Sequence, residues 1–187
     1  MADEILSQII NHIFDICPNG RNGLPEELFL CISALTPIPN VDLFIFNESG
    51  EILLERRNDV FYGQGWHIPG GCVRFGETME ERIQRTAIKE LGSMVKIKDK
   101  NPLAIRDVLR EPVEKLQNPD VRGHNITILF ECALPADYEI DNGIKNENDE
   151  GYLKWFATIP KDILKVHDVY KDIFRSKNLI LGENYDE

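Results

Sequence analysis

Apolar residues recur at helical spacing near the start of the chain. Ile5, Leu6, Ile9, Ile10, Ile13 and Phe14 share one stripe, and Cys17-Pro18-Asn19-Gly20 stops it. The pattern predicts an amphipathic helix over 5–16, docked on the body or on a second chain. Arg21-Asn22-Gly23 reads as a short linker. A second helix opens at Pro25, with Glu26 and Glu27 in the first turn where the helix dipole favours anions, and runs to about Leu35. Thr36-Pro37-Ile38-Pro39 ends it. The period then changes to that of strands. Val41–Phe46, interrupted by Asp42, and Glu51–Arg56 flank the turn Asn47-Glu48-Ser49-Gly50 and predict a hairpin. Leu103–Leu109 and Ile126–Leu134 are further strands, joined by a polar loop holding Pro112, Pro119 and Gly123. Leu153–Phe156 is a short strand, and Asp162–Phe174 returns to helical spacing. Residues 141–150, rich in acids, read as a solvated loop.

A length of 187 residues suits about one domain with an appendage. Lys and Arg number 21 against 32 Asp and Glu, a net charge of −11, which argues against a nucleic-acid backbone or an anionic membrane as partner. A phosphate-bearing small molecule remains compatible if a cation or local arginines receive it. Cys17, Cys31, Cys72 and Cys132 form no C-x-x-C pair, so neither a zinc site nor a disulfide framework is expected. The acidic start and the lack of a long apolar run predict a soluble, cytoplasmic protein.

The chemistry concentrates in Gly65–Gly92. Pro69-Gly70-Gly71 presents backbone with little side-chain bulk, so main-chain groups can approach a ligand. Thr78 and Glu81 match the S/T-x-x-E capping box, predicting a helix over Met79–Leu91 with Gly92 as a left-handed terminator. Met79, Ile83, Ala87 and Leu91 form its buried stripe. Glu90 projects from the margin of that stripe, where a carboxylate near a glycine loop suits a hard cation, though by spacing alone it is equally a surface charge. By the same measure Arg85 is an i,i+4 partner of Glu81.

Gly71, Glu77, Arg85, Glu90 and Gly92 fall at the offsets of the Nudix box, G-x5-E-x7-R-E-U-x-E-E-x-G-U, and the segment resembles that family. The departures are Thr86, Ala87, Lys89 and Ser93, which leave one acidic ligand on the helix. In this the chain is most similar to the GDP-mannose mannosyl hydrolases, from Leu24 to the C-terminal helix, with residues 1–23 outside the match as an N-terminal helix and linker and 24–187 as the Nudix domain. The resemblance implies an α/β/α sandwich with a mixed sheet between helices and a homodimer. It implies Mg2+, with Mn2+ as a substitute, held by the Gly70 carbonyl and Glu90. It also implies substrate contacts from Asp42, Arg57 and Arg85. Cys72 stands where the family has an arginine, and Arg74 lies two residues on, on the same face of an extended chain. Asp149 and Glu150 occupy the positions of a metal-binding glutamine and a histidine base, with Glu147 a rival to Glu150.

The activity so implied is hydrolysis of a nucleotide sugar to GDP and free sugar. Arg57 would steady the departing diphosphate and Glu150 would take a proton from water. One helix carboxylate favours attack on carbon over attack on phosphorus. Two alternatives stand beside this one: a pyrophosphohydrolase cleaving P–O in a nucleoside diphosphate-X substrate, and a non-catalytic nucleotide-binding module.

Overall fold

A computed structural model describes residues 2–60, 62–109 and 123–179. Helix α1 (Ala2–Ile16) precedes a 3-10 turn at Gly20–Asn22 and α2 (Glu26–Leu35). Strands β1 (Ile38–Ile45), β2 (Ile52–Asp59), β3 (Gly63–His67) and β4 (Gly70–Cys72) lead into α3 (Met79–Leu91). Then come β5 (Lys96–Ile97), β6 (Ala104–Leu109), β7 (His124–Ala133), β8 (Leu153–Phe156) and α4 (Lys171–Ser176).

The strands form two sheets. One runs β4-β1-β7-β5, with β6 also paired to β7, and the other runs β3-β2-β8. The β1–β7 pair is parallel and the rest are antiparallel, so the main sheet is mixed. Alternate residues of each strand point to opposite faces, which gives two cores. Val41, Leu43, Ile45, Ile128 and Phe130 pack with Ile83, Ala87 and Leu91 of α3. Phe44, Leu129, Ile52 and Leu54 pack with Tyr170 and Phe174 on the other side. Helices therefore cover both faces, the α/β/α arrangement.

Several expectations are corrected. The Asn47–Gly50 turn forms, with Gly50 N–H donating to the Asn47 carbonyl at 3.1 Å. Its flanking strands, however, separate into different sheets after a single bridge, Phe46 to Ile52. Better partners exist at a distance: β1 pairs along eight positions with β7. The segment from 162 to 174 is not one helix. A 3-10 turn (Lys165–Tyr170) precedes α4, because Tyr170 and His167 turn inward together to be buried against the sheet. Met79, placed in the buried stripe of α3, is 45% exposed; Arg82 and Thr86 are buried instead. The polar loop containing Pro112 and Pro119 lies outside the described residues. Among the described residues no helix is long and apolar enough to cross a membrane.

Candidate active site

Local chemistry fixes α3 first. Thr78 Oγ1 accepts from Glu81 N–H at 3.2 Å, Glu81 Oε2 accepts from Thr78 N–H at 2.8 Å, and Gly92 closes the helix at φ 70°. Gly71 then lets β4 run close against the helix: a Cβ there would sit 2.9 Å from Thr86 Oγ1. At Gly70 a Cβ would collide with Asp42 Oδ1 across the β1–β4 pair. The consequence is that Gly70 N–H reaches Glu90, donating to Oε2 at 3.0 Å.

Glu90 lies on the wall of a cleft of about 460 Å³. Its side chain is only 7% exposed. Burial and the neighbouring carboxylate of Glu55 push its pKa up to about 8, against the pull of Arg57, Lys89 and the Gly70 N–H. Glu55 is raised in turn, by burial first, and is held between the cations of Arg57, Lys89 and Lys145 and the anion of Glu150. Two hard oxygen donors thus share one corner under mutual repulsion. Such a pair fits a divalent cation, which would relieve the repulsion and hold both in the charged form.

The cations divide into two sets. Arg57, Arg74 and Lys89 line the cleft, with the Arg57 side chain 28% exposed and Lys89 Nζ 3.9 Å from Glu90 Oε1. Arg74 is backed by Gly23, whose Cα would place a Cβ 3.7 Å from the guanidinium. Arg82 also lines the cleft, but its Nε donates to Glu77 at 2.8 Å. Glu77 is held below the usual carboxylate range, despite its burial, by Arg82, by the Arg74 N–H and by Arg85. Its carboxylate is therefore a structural brace. Arg85 is 59% exposed and pairs with Glu77 at 3.3 Å, so Arg82 rather than Arg85 faces the cleft.

The opposite wall comes from the N-terminal segment. Gly20, Gly23, Leu24, Glu26 and Phe29 line the cleft together with Ile38 and Phe75. Gly23, at the end of the 21–23 segment expected to be a linker, thus lines the cleft. Asp42 sits behind the site, fully buried. It accepts from Asn40 Nδ2 (2.7 Å), Thr127 Oγ1 (2.6 Å) and Tyr170 Oη (2.8 Å), yet burial outweighs these bonds and raises its pKa. Protein donors thus surround its carboxylate. It borders a chamber of about 50 Å³ shared with Cys72, His67 and His167. His167 Nε2 accepts from Ile68 N–H at 3.1 Å, and burial, aided by Arg57, drops its pKa to about 3. The neutral ring therefore secures the turn that leads into Gly70.

The acidic loop meets the site at one end. Gly151 N–H donates to the Arg56 carbonyl at 2.8 Å, which lays Glu150 beside Glu55. Asp149 instead caps its own turn, accepting from Asn146 N–H at 2.7 Å, and Glu147 pairs with Lys154 at 2.8 Å. Among the described residues no three His, Cys, Asp or Glu side chains gather into a metal cluster. The residue beside Glu90 is Glu55, which the sequence reading missed. Its signal was a carboxylate directly after the buried run Ile52-Leu53-Leu54.

Residues 36–169 match the model of the NUDIX domain. The chain is 36% identical over 114 residues to the low-salt glycan biosynthesis protein Agl8 of Haloferax volcanii, covering 61% of this chain and 70% of that one. It is 30% identical over 146 residues to an ADP-ribose pyrophosphatase of Methanocaldococcus jannaschii, covering 77% of each. It is 40% identical over 138 residues to the nucleoside triphosphatase NudI of an Enterobacter species, covering 73% of this chain and 93% of the relative.

Proposed function

Because the chain belongs to the Nudix family, whose hydrolases act on small nucleotide substrates with divalent ions such as Mg2+, we propose that it hydrolyses a nucleotide sugar. In the GDP-mannose mannosyl hydrolase manner, the products are a nucleoside diphosphate and free sugar. The observation that carries this reading is that α3 offers the cleft a single acid. Glu77 is consumed by arginines, Glu80 and Glu81 lie in the first turn, and only Glu90 reaches the glycine loop.

The ion would be held by Glu90 and the Gly70 carbonyl, with Glu55 in place of Asp149, and would offset the negative charge of the diphosphate. Arg57 and Arg74 line the same cleft and bind the phosphate oxygens, where arginine's planar fork matches two acceptors at once. The apolar wall of Leu24, Phe29, Ile38 and Phe75 suits a flat nucleobase. Glu150, at the loop end beside Glu55, accepts a proton from water as the water oxygen bonds to the anomeric carbon. The C–O bond breaks and its electron pair leaves on the diphosphate oxygen, next to Arg57.

A second reading is favoured by the relatives described as a pyrophosphatase and a triphosphatase and by the second carboxylate at Glu55. Here water attacks phosphorus and a nucleoside monophosphate is released. Hydrolysis in 18O-labelled water tests both: label in the sugar supports C–O cleavage, and label in a phosphate overturns it in favour of the second. Measurable nucleotide-sugar binding with no divalent-dependent turnover of any substrate tried overturns both, and makes the protein a binding module.

A further inference from the structure

Helix α1 carries its apolar stripe into solvent. Ile5, Leu6, Ile9, Ile10, Phe14 and Ile16 are between 43% and 63% exposed, so the stripe does not dock on the body of its own chain. Within it Leu6, Ile9, Ile13 and Ile16 follow one another at spacings of three, four and three, the seam of a helix that packs along another helix. Ile5 and Ile10 widen the seam on either side. The opposite face holds Glu4, Ser7, Gln8, Asn11 and Asp15.

We infer that the occupant of this stripe is α1 of a second copy of the chain. The charge of the helix selects against the other apolar surface open to it. Asp3, Glu4 and Asp15 are acidic and the helix has no Lys or Arg, whereas helices that lie on anionic bilayers carry basic polar faces. The area is sufficient. Each exposed side chain presents on the order of 100 Å², so two facing stripes withdraw roughly 1,200 Å² from water, within the range of specific interfaces. Because α1 lies outside residues 36–169, this pairing does not depend on the hydrolase reading.

Sedimentation velocity of the full chain, from micromolar to hundreds of micromolar, tests it. The wild type is expected at twice its 21.5 kDa mass, with association undiminished by high salt because burial of apolar surface drives it. The double substitution Leu6→Glu/Ile9→Glu should weaken association ~100-fold or more, the equivalent of losing two buried apolar side chains. Asn11→Glu, on the polar face, should leave it intact. Leu6, Ile9 and Asn11 are all exposed, so far-UV circular dichroism should change little in either variant. A wild type that stays monomeric throughout, or a dimer that survives the double substitution, overturns the inference. So does co-sedimentation of the wild-type monomer with phosphatidylserine vesicles.

Discussion

Glu90→Gln separates the burial of this carboxylate from everything else in the cleft. The glutamine keeps the shape and can still accept the Gly70 N–H, but it cannot ionise. In the metal-free protein the folded state holds the Glu90 proton up to about pH 8, while the unfolded chain releases it near the ordinary 4.5. The native state therefore binds more protons than the unfolded one, so stability falls as pH rises through this window. Below pH 4.5 the group is protonated in both states and the cost vanishes. At pH 7.5 it reaches about 4 kcal/mol, from about 1.4 kcal/mol per pKa unit. Thermal melts in EDTA should show Glu90→Gln more stable than wild type by on the order of 10 °C at pH 7.5 and nearly equal at pH 4.5. Mg2+ should raise the wild-type midpoint at pH 7.5 and leave the variant unmoved, while hydrolysis falls by ~100-fold or more. Equal midpoints for the two proteins in EDTA at both pH values would refute the account of a strained, buried carboxylate awaiting a cation.

Three further outcomes follow from the same geometry. Glu55→Gln should weaken Mn2+ binding, read by electron paramagnetic resonance, by ~10-fold or more, and should also lower the pH at which Glu90 charges, since it removes a like charge; unchanged affinity would remove Glu55 from the site. His167 must stay neutral when folded, with its pKa near 3 against 6.5 unfolded, so its contribution is complete above pH 6.5 and is lost as pH falls toward 3. Urea titrations should find about 2.5 kcal/mol of stability lost between pH 7 and 4.5 in wild type that is missing from the slope of His167→Gln, whatever the variant's absolute stability. Gly71→Ala should cost about 1–3 kcal/mol by forcing β4 from α3, and Thr86→Ala in the same chain should recover much of it, because the 2.9 Å clash is with Thr86 Oγ1.

The tertiary structure also explains which expectations moved. Glu90 and Glu55 are 35 positions apart in the chain, and their repulsion exists only once β2 and the end of α3 meet. The choice of Arg82 over Arg85 depends on where Glu77 is anchored, by the Arg74 N–H at 2.9 Å. Asp149 and Glu150 are neighbours in sequence. One turns into its own loop and the other lies along β2, because Gly151 bonds to Arg56.

The amino-acid sequence by itself determined the three principal helices, the capping box, the Gly92 terminator and the glycine loop. All of these rest on hydrogen bonds and periodicities that span a few residues. It also set the Nudix spacing of Gly71, Glu77, Arg85, Glu90 and Gly92, which is fixed along one strand, loop and helix. Only the folded chain decided that β1 and β2 enter different sheets, that Gly20, Gly23, Leu24, Glu26 and Phe29 wall the cleft, and that Glu55 stands beside Glu90. Strand partners and like-charge neighbours are chosen by burial across long stretches of chain, and no local pattern encodes that choice.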